Sequence, residues 1–269
     1  MLFGKRLTSM LKITLILTIL VFLSTDFVEN SHTRVRTIKA AVVDSQGTDY
    51  LEMTIWEELI NNWRSYGCIQ VFIDYASLNK DEITYEDIAA TEANLLIISV
   101  AGIPYEFTDS EIGAIKQYVK EGHGIIITYD SFEGKNAKLA PLVGFSDTIA
   151  LGLKAPSTIS FDLSKGEGLH AIFRDVSNPY VSGVSYMTAT YYQSPWPVTT
   201  GKIVASTLSA SGLIWVEGVI VMNKAKTFRG VYFPHYIEDS KIGSNQYDKQ
   251  VFYNAMLWVS RIPNPPTKE

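Results

Sequence analysis

Two nearly unbroken apolar runs, Leu95–Val100 and Ile125–Thr128, set the narrowest limit on what this chain can become. A strand with one wet face alternates apolar and polar residues, whereas a strand apolar throughout needs cover on both faces. Between the runs, Thr108-Asp-Ser-Glu111 has the spacing of a capping box, in which hydroxyl and carboxylate satisfy free N–H groups at a helix start. Ile112, Ile115 and Val119 then form one helical face, and Gly122 suits the left-handed end. Strand, helix and strand in this order imply a parallel sheet with right-handed crossovers.

The same alternation extends on both sides. Ile38–Val43 reads as a strand closed by Asp44-Ser45-Gln46-Gly47. A helix carrying Leu51, Ile55, Leu59 and Trp63 follows and stops at Gly67, and Cys68–Asp74 and Ile83–Ala93 read as strand and short helix. Further on, Lys138–Val143 suggests a helical turn, and residues 146–200 form a Ser- and Tyr-rich stretch of weak periodicity. Lys202–Ser206, Leu213–Val216, Val219–Met222 and Arg229–Phe233 read as strands, and a closing helix over Asp248–Ser260 buries Val251, Phe252, Ala255, Met256 and Val259. The expected class is α/β: a mainly parallel sheet flanked by helices, with additional β-strands in the second half.

Lys5, Arg6 and Lys12 precede the apolar run Ile13–Leu23, which fits an export signal and is short beside the roughly 20 residues of a membrane span. No clean small-x-small cleavage site follows, so an uncleaved anchor is the alternative. The expected organisation is a signal peptide or N-terminal membrane anchor over 1–25, a linker over 26–36, one domain over 37–262 and a loose tail over 263–269. The expected location is secreted or membrane-anchored on the extracytoplasmic side.

A net charge of −5 without a dense Lys/Arg stripe argues against a nucleic-acid partner. One cysteine excludes an intrachain disulfide and a thiolate-rich metal site, and the four histidines show no helical pairing. No metal and no cofactor are expected.

Four segments together resemble the class I glutamine amidotransferase-like superfamily, especially its ThuA-like and β-galactosidase-trimerisation-like branches. They are Leu95–Glu111 with the run FTDSEIGAIKQYVKEGHG, LAPLVGF at 139–145, HAIF at 170–173, and RGVYFPHY at 229–236 before QVFYNAMLWV. The resemblance spans roughly 37–262. It implies a flavodoxin-like sheet with ligands at the C-terminal strand ends, the edge that the topology of open α/β sheets also favours. Amidotransferases of the superfamily place a Cys on the turn after the strand equivalent to Ile125–Thr128, and many ThuA-like proteins carry His near the position of Tyr129. Here that turn offers Tyr129, Asp130 and Ser131. No glutamine amidotransferase activity is expected.

Asp130 and Glu133, with His235 nearby, are the candidate acid and base of a hydrolase acting on a glycan or small polar substrate. Ser131 is a nucleophile or a turn residue, but Tyr129 and Glu133 deny it the small-residue elbow of serine hydrolases. Asp44, Asp74 and Gly102, each just past an expected strand end, share a rim with Tyr129 and Asp130. Tyr191, Tyr192 and Trp196 form an aromatic platform for sugar rings or a lid on the core. Cys68 reads as a small hydrophobe, His170 as a loop residue, and His123, between two glycines, as exposed. The leading expectation is a non-catalytic binding or interaction module for a carbohydrate, a small polar ligand or an envelope protein. The membrane is a partner if the N-terminal segment is uncleaved.

Overall fold

The apolar runs lie side by side as parallel strands. The computed structural model describes residues 34–44, 64–66, 69–78, 80–99, 106–128, 131, 134–147, 150–160, 171–173, 176, 181–190, 198–207, 215–217, 220–234 and 246–261. In chain order these form β1 (Arg34–Asp44), β2 (Arg64–Tyr66), β3 (Ile69–Ser77), α1 (Tyr85–Ala90), β4 (Leu95–Ser99), α2 (Asp109–Lys120) and β5 (Gly124–Thr128). There follow a 3-10 helix (Gly134–Val143), β6 (Ala150–Ser160), a short 3-10 turn (Ala171–Phe173), β7 (Val181–Thr190), β8 (Lys202–Thr207), β9 (Trp215–Glu217), β10 (Ile220–Lys224), β11 (Arg229–Phe233) and α3 (Gln246–Val259).

The strands build one 11-stranded sheet in the order β2-β3-β1-β4-β5-β11-β10-β8-β6-β7-β9. From β3 to β11 all neighbours are parallel, and the order β3-β1-β4-β5-β11 is that of a flavodoxin-like α/β fold. Beyond β11 every pairing is antiparallel.

Alternation along the parallel strands divides two cores. Ile38, Ala40 and Val42 of β1, Leu95 and Ile97 of β4, Ile126 of β5, and Val231 and Phe233 of β11 face α3. Ala41, Val43, Leu96, Ile98, Ile125, Ile127 and Tyr232 face α1, α2 and the 3-10 helix. Both faces being covered is why these strands read as continuous apolar runs. The helices approach closely enough to demand glycine. A Cβ on Gly124 would lie 2.7 Å from the Val259 carbonyl oxygen, and one on Gly230 would strike the Leu142 carbonyl oxygen.

The capping box at α2 is formed as expected. The Thr108 hydroxyl accepts from the Glu111 N–H (3.2 Å) and the Glu111 carboxylate accepts from the Thr108 N–H (2.8 Å). Glu111 is fully buried, and its other oxygen accepts from the Ile83 N–H at 3.0 Å, tying the approach to α1 onto the start of α2. A second capping box, Thr84 with Asp87, starts α1.

Several boundaries differ from the sequence expectation. β1 begins at Arg34, inside the expected 26–36 linker, because Arg34–Arg36 pair with Ile69–Val71. β3 runs past Asp74 to Ser77, since Tyr75, Ala76 and Ser77 still pair with Ala40, Ala41 and Val42. Arg64–Tyr66 forms the short edge strand β2, and the stretch 146–200 holds the long strands β6 and β7. The helix expected around Leu51–Leu59, the N-terminal apolar run and the tail lie outside the described residues. Among the described residues no helix is long and apolar enough to cross a membrane.

Candidate functional site

The chain passes from β1 to β3 on one side and returns past β1 to β4 on the other, so the topological switch falls at the β1–β4 seam. Open α/β sheets bind ligands outside the carboxyl ends of their strands at such a seam. Here Asp44, the last residue of β1, stands opposite Ser99, the last residue of β4. The pairing of Ile98 with Ile127 brings Ser99 level with Thr128, which in turn pairs with Phe233 at the end of β11. Short polar residues thus close three adjacent strands in one row. Ser99 and Thr128 are fully buried.

Behind Thr128 the chain turns at once. The Ser131 N–H donates to the Thr128 carbonyl at 3.0 Å, and Ser131 is 1% exposed. Ser131 is thus placed in a turn just past the end of β5. The segments after β4 and β5 are stitched together beside the row. Asn136, itself buried, accepts from the Phe107 N–H at 2.8 Å. Glu106 pairs with Lys135 at 3.2 Å, and Asp109 with Lys138 at 2.6 Å. Hydrogen bonds from these lysines hold the Glu106 and Asp109 carboxyls below the usual range. Both are exposed structural pairs that fix the rim.

The antiparallel extension also meets this edge. β6 pairs with β8 only through Ile159 and Ser160, opposite Thr207 and Ser206 at the end of β8. The rest of β6 and nearly all of β7 therefore pair as a ribbon beyond the end of β8, joined at its far end by β9, with register shifts between Lys154 and Thr158. The ribbon leaves the sheet on the side where the parallel strands end. The Tyr191–Trp196 segment connects β7 to the approach to β8.

The sequence candidates separate as follows. Asp44 and Ser131 lie at the carboxyl edge. Asp74 does not: the extra length of β3 places it opposite Lys39, well inside the strand. Gly102, Tyr129, Asp130, Glu133, Tyr191, Tyr192, Trp196, His235, Cys68 and His170 lie outside the described residues, as does the side chain of Asp44. His123 is at the opposite edge, just before β5. Its ring stacks on Tyr118 at 4.0 Å, so it is half-buried rather than exposed, and burial pushes its pKa down. Sequence reasoning missed Ser99, Thr128 and Asn136. The signal available was a lone hydroxyl ending an otherwise apolar strand, in LLIIS and again in GIIIT.

Chemically, the Ser99 and Thr128 hydroxyls, each able to donate and to accept, close adjacent strands at this edge as buried groups. Among the described residues no His stands at this edge, and no group of three His, Cys, Asp or Glu side chains is arranged to hold a metal ion.

No known family model and no curated protein matches the chain. Solved structures do. A ThuA-like protein from Bacteroides uniformis superposes with a TM-score of 0.54 at 15% identity, over 82% of this chain and 91% of that one. A ThuA-like protein from Parabacteroides merdae gives 0.54 at 10% identity, over 87% and 93%. A cytoplasmic protein from Salmonella typhimurium gives 0.53 at 14% identity, over 82% and 99%. At such identities the likeness is one of architecture, and the architecture is ThuA-like.

Proposed function

We propose that this chain is an exported or membrane-anchored binding module of the class I glutamine amidotransferase-like superfamily, lacking the catalytic cysteine of that superfamily. It holds a polyhydroxylated ligand, a mono- or oligosaccharide by chemistry, at the carboxyl edge of its parallel sheet. The observation that carries this reading is the row Asp44, Ser99 and Thr128, short polar residues closing three adjacent strands at the topological switch. The turn after β5 reads Tyr129-Asp130-Ser131 where an amidotransferase needs its thiol, and the sole cysteine of the chain is Cys68. The ribbon β6–β7 extends beyond the same edge of the sheet, and Tyr191, Tyr192 and Trp196 are aromatic residues of the kind on which sugar rings stack.

The test is a thermal-shift screen of the full chain against sugars, amino acids, nucleotides and divalent cations, repeated on Asp44→Ala and Asp130→Ala. A ligand at about 100 times its dissociation constant adds roughly 2.7 kcal/mol of stability, a shift that is easily read. The expected result is stabilisation by a saccharide, lost in one or both variants, with the saccharide recovered intact. Cleavage of the saccharide, abolished by Asp130→Ala or Glu133→Gln, would establish a hydrolase instead. Stabilisation by none of the compounds would overturn the small-ligand reading in favour of a protein partner.

A further inference from the structure

The sheet is charge-polarised along its strand axis, and the anchoring reading gives that polarity a use. At the carboxyl edge the helices begin, and the described acids there, Asp81, Glu82, Glu86, Asp87, Glu106 and Asp109, outnumber the lysines, of which Lys80, Lys135 and Lys138 each pair with one of them. At the amino edge the helices end and bases gather: Arg36, Lys120, Lys224, Lys226, Arg229 and Arg261. Part of this is helix-end chemistry, in which cations stabilise the partial negative charge of a helix C-terminus. Lys120 lies in the last turn of α2, and Arg229 donates to the Trp258 carbonyl of α3 at 2.9 Å with its guanidinium over the Trp258 ring. Arg261 donates to the Thr227 carbonyl.

The rest has no such explanation. Lys224 ends β10, Lys226 sits in the turn that joins it to β11, and Arg36 lies on β1; all three are exposed. Of the described acids at this edge, Glu92 is paired with Lys39, while Glu121, which accepts hydrogen bonds from Tyr85 and Gln117, keeps its charge and is outnumbered by the bases. Asp74 stands opposite Lys39 in the ladder. Among the described residues, a chain of net charge −5 therefore presents a basic amino edge.

That end is also where the chain enters the fold. β1 extends below the start of β4 by the whole segment Arg34–Lys39, since Leu95 pairs only with Ala40. Arg34 thus stands at the tip of the amino edge. Ten residues separate it from Leu23, the last residue of the apolar run. At full extension ten residues reach roughly 35 Å at most, so an anchored chain keeps this edge close to the bilayer.

We infer that the amino edge of the sheet, centred on the Lys224–Arg229 hairpin, docks on an anionic lipid surface and holds the ligand-binding carboxyl edge pointing away from the membrane. The inference rests on the proposed membrane anchoring. Each lysine near an anionic bilayer strengthens association roughly fivefold, and salt screens the effect.

The experiment takes the full chain with vesicles of phosphatidylcholine alone or mixed with phosphatidylglycerol, read by flotation and peptide-resolved hydrogen exchange. The expected result is flotation with both, and on the anionic vesicles alone a salt-sensitive protection of the peptides spanning 220–233, with those spanning 80–90 unchanged. K224E/K226E, both in exposed positions, removes that protection while leaving the melting temperature in place. Flotation with anionic vesicles only, weakened tenfold or more in K224E/K226E, would end the anchoring reading and uphold the docking face. Flotation with both but equal protection at the two edges, or protection indifferent to lipid charge, would overturn the docking face and leave the anchor standing. Flotation with neither would overturn both.

Discussion

The two halves of the sheet obey different rules. From β3 to β11 the strands are parallel, covered on both faces, and end in a level row; from β10 to β9 they are antiparallel, and the ribbon β6–β7 leaves the others behind. The first half owes its order to burial. Every residue of β4 and β5 is buried, so these strands need cover on both faces. The second half carries hydroxyl-rich strands such as VSGVSYMTAT, joined by hairpin-type pairing. The lesson is a division of labour. The parallel half sets a level edge, and the antiparallel half carries a ribbon beyond that edge.

The sharpest way to break this comparison is to remove a large core side chain from each half. Phe233 of β11 is fully buried and packs edge-on against Phe252. Phe233→Ala is expected to cost about 4 kcal/mol, measured by urea unfolding. Val204 of β8, also fully buried, is expected to cost about 2 kcal/mol as Val204→Ala. Both variants should unfold in one transition, because β10 hydrogen-bonds to β11 and β8 alike. A separate low-stability transition in Val204→Ala would show that the antiparallel half folds on its own.

Between these two in size is Glu111→Ala, which strips the carboxylate from the buried N–H of Ile83 and from the Thr108 N–H. A loss of about 3 kcal/mol is expected. A loss below that of a simple cap would mean that the link between α1 and α2 is dispensable. Thr108→Ala removes only the hydroxyl partner of the Glu111 N–H and should cost about 1 kcal/mol. The ratio of these two effects separates the buried cross-link from the cap itself.

How far the sequence revealed these features follows the same division. The Leu95–Ser99 and Gly124–Thr128 strands, the Thr108 cap and the closing helix were legible, because a doubly covered strand and a capped amphipathic helix each leave a one-dimensional pattern. β6 and β7 were not, since alternating Ser, Thr and Tyr with small apolar residues gives no run and no helical period. Asp74 was misplaced at the rim because Tyr75-Ala76-Ser77 reads as a strand exit, yet the ladder with β1 holds it in the sheet. The basic amino edge was invisible for another reason. Its charges come from β1, α2, the β10–β11 hairpin and the end of α3, so no stretch of sequence is basic.

The smallest expected effect is a pH dependence at the amino edge. Burial against Tyr118 lowers the His123 pKa below its ordinary 6.5, with Glu121 opposing the shift. The folded state then binds fewer protons than the unfolded state. His123 therefore contributes its full stability above about pH 6.5 and loses it as pH falls through the folded pKa. His123→Gln should flatten that slope in denaturant midpoints recorded from neutral to mildly acid pH. An unchanged slope would place the titrating group elsewhere.

The most direct test of the central claim is peptide-resolved hydrogen exchange on the full chain, with and without a panel of mono- and oligosaccharides. The account predicts that a stabilising saccharide slows exchange in peptides covering Leu95–Ser99 and Gly124–Ser131, which end at the polar row, and leaves the Lys224–Arg229 hairpin unchanged. Protection confined to β6, β7 and the Tyr191–Trp196 segment, or centred on the amino edge, would contradict it.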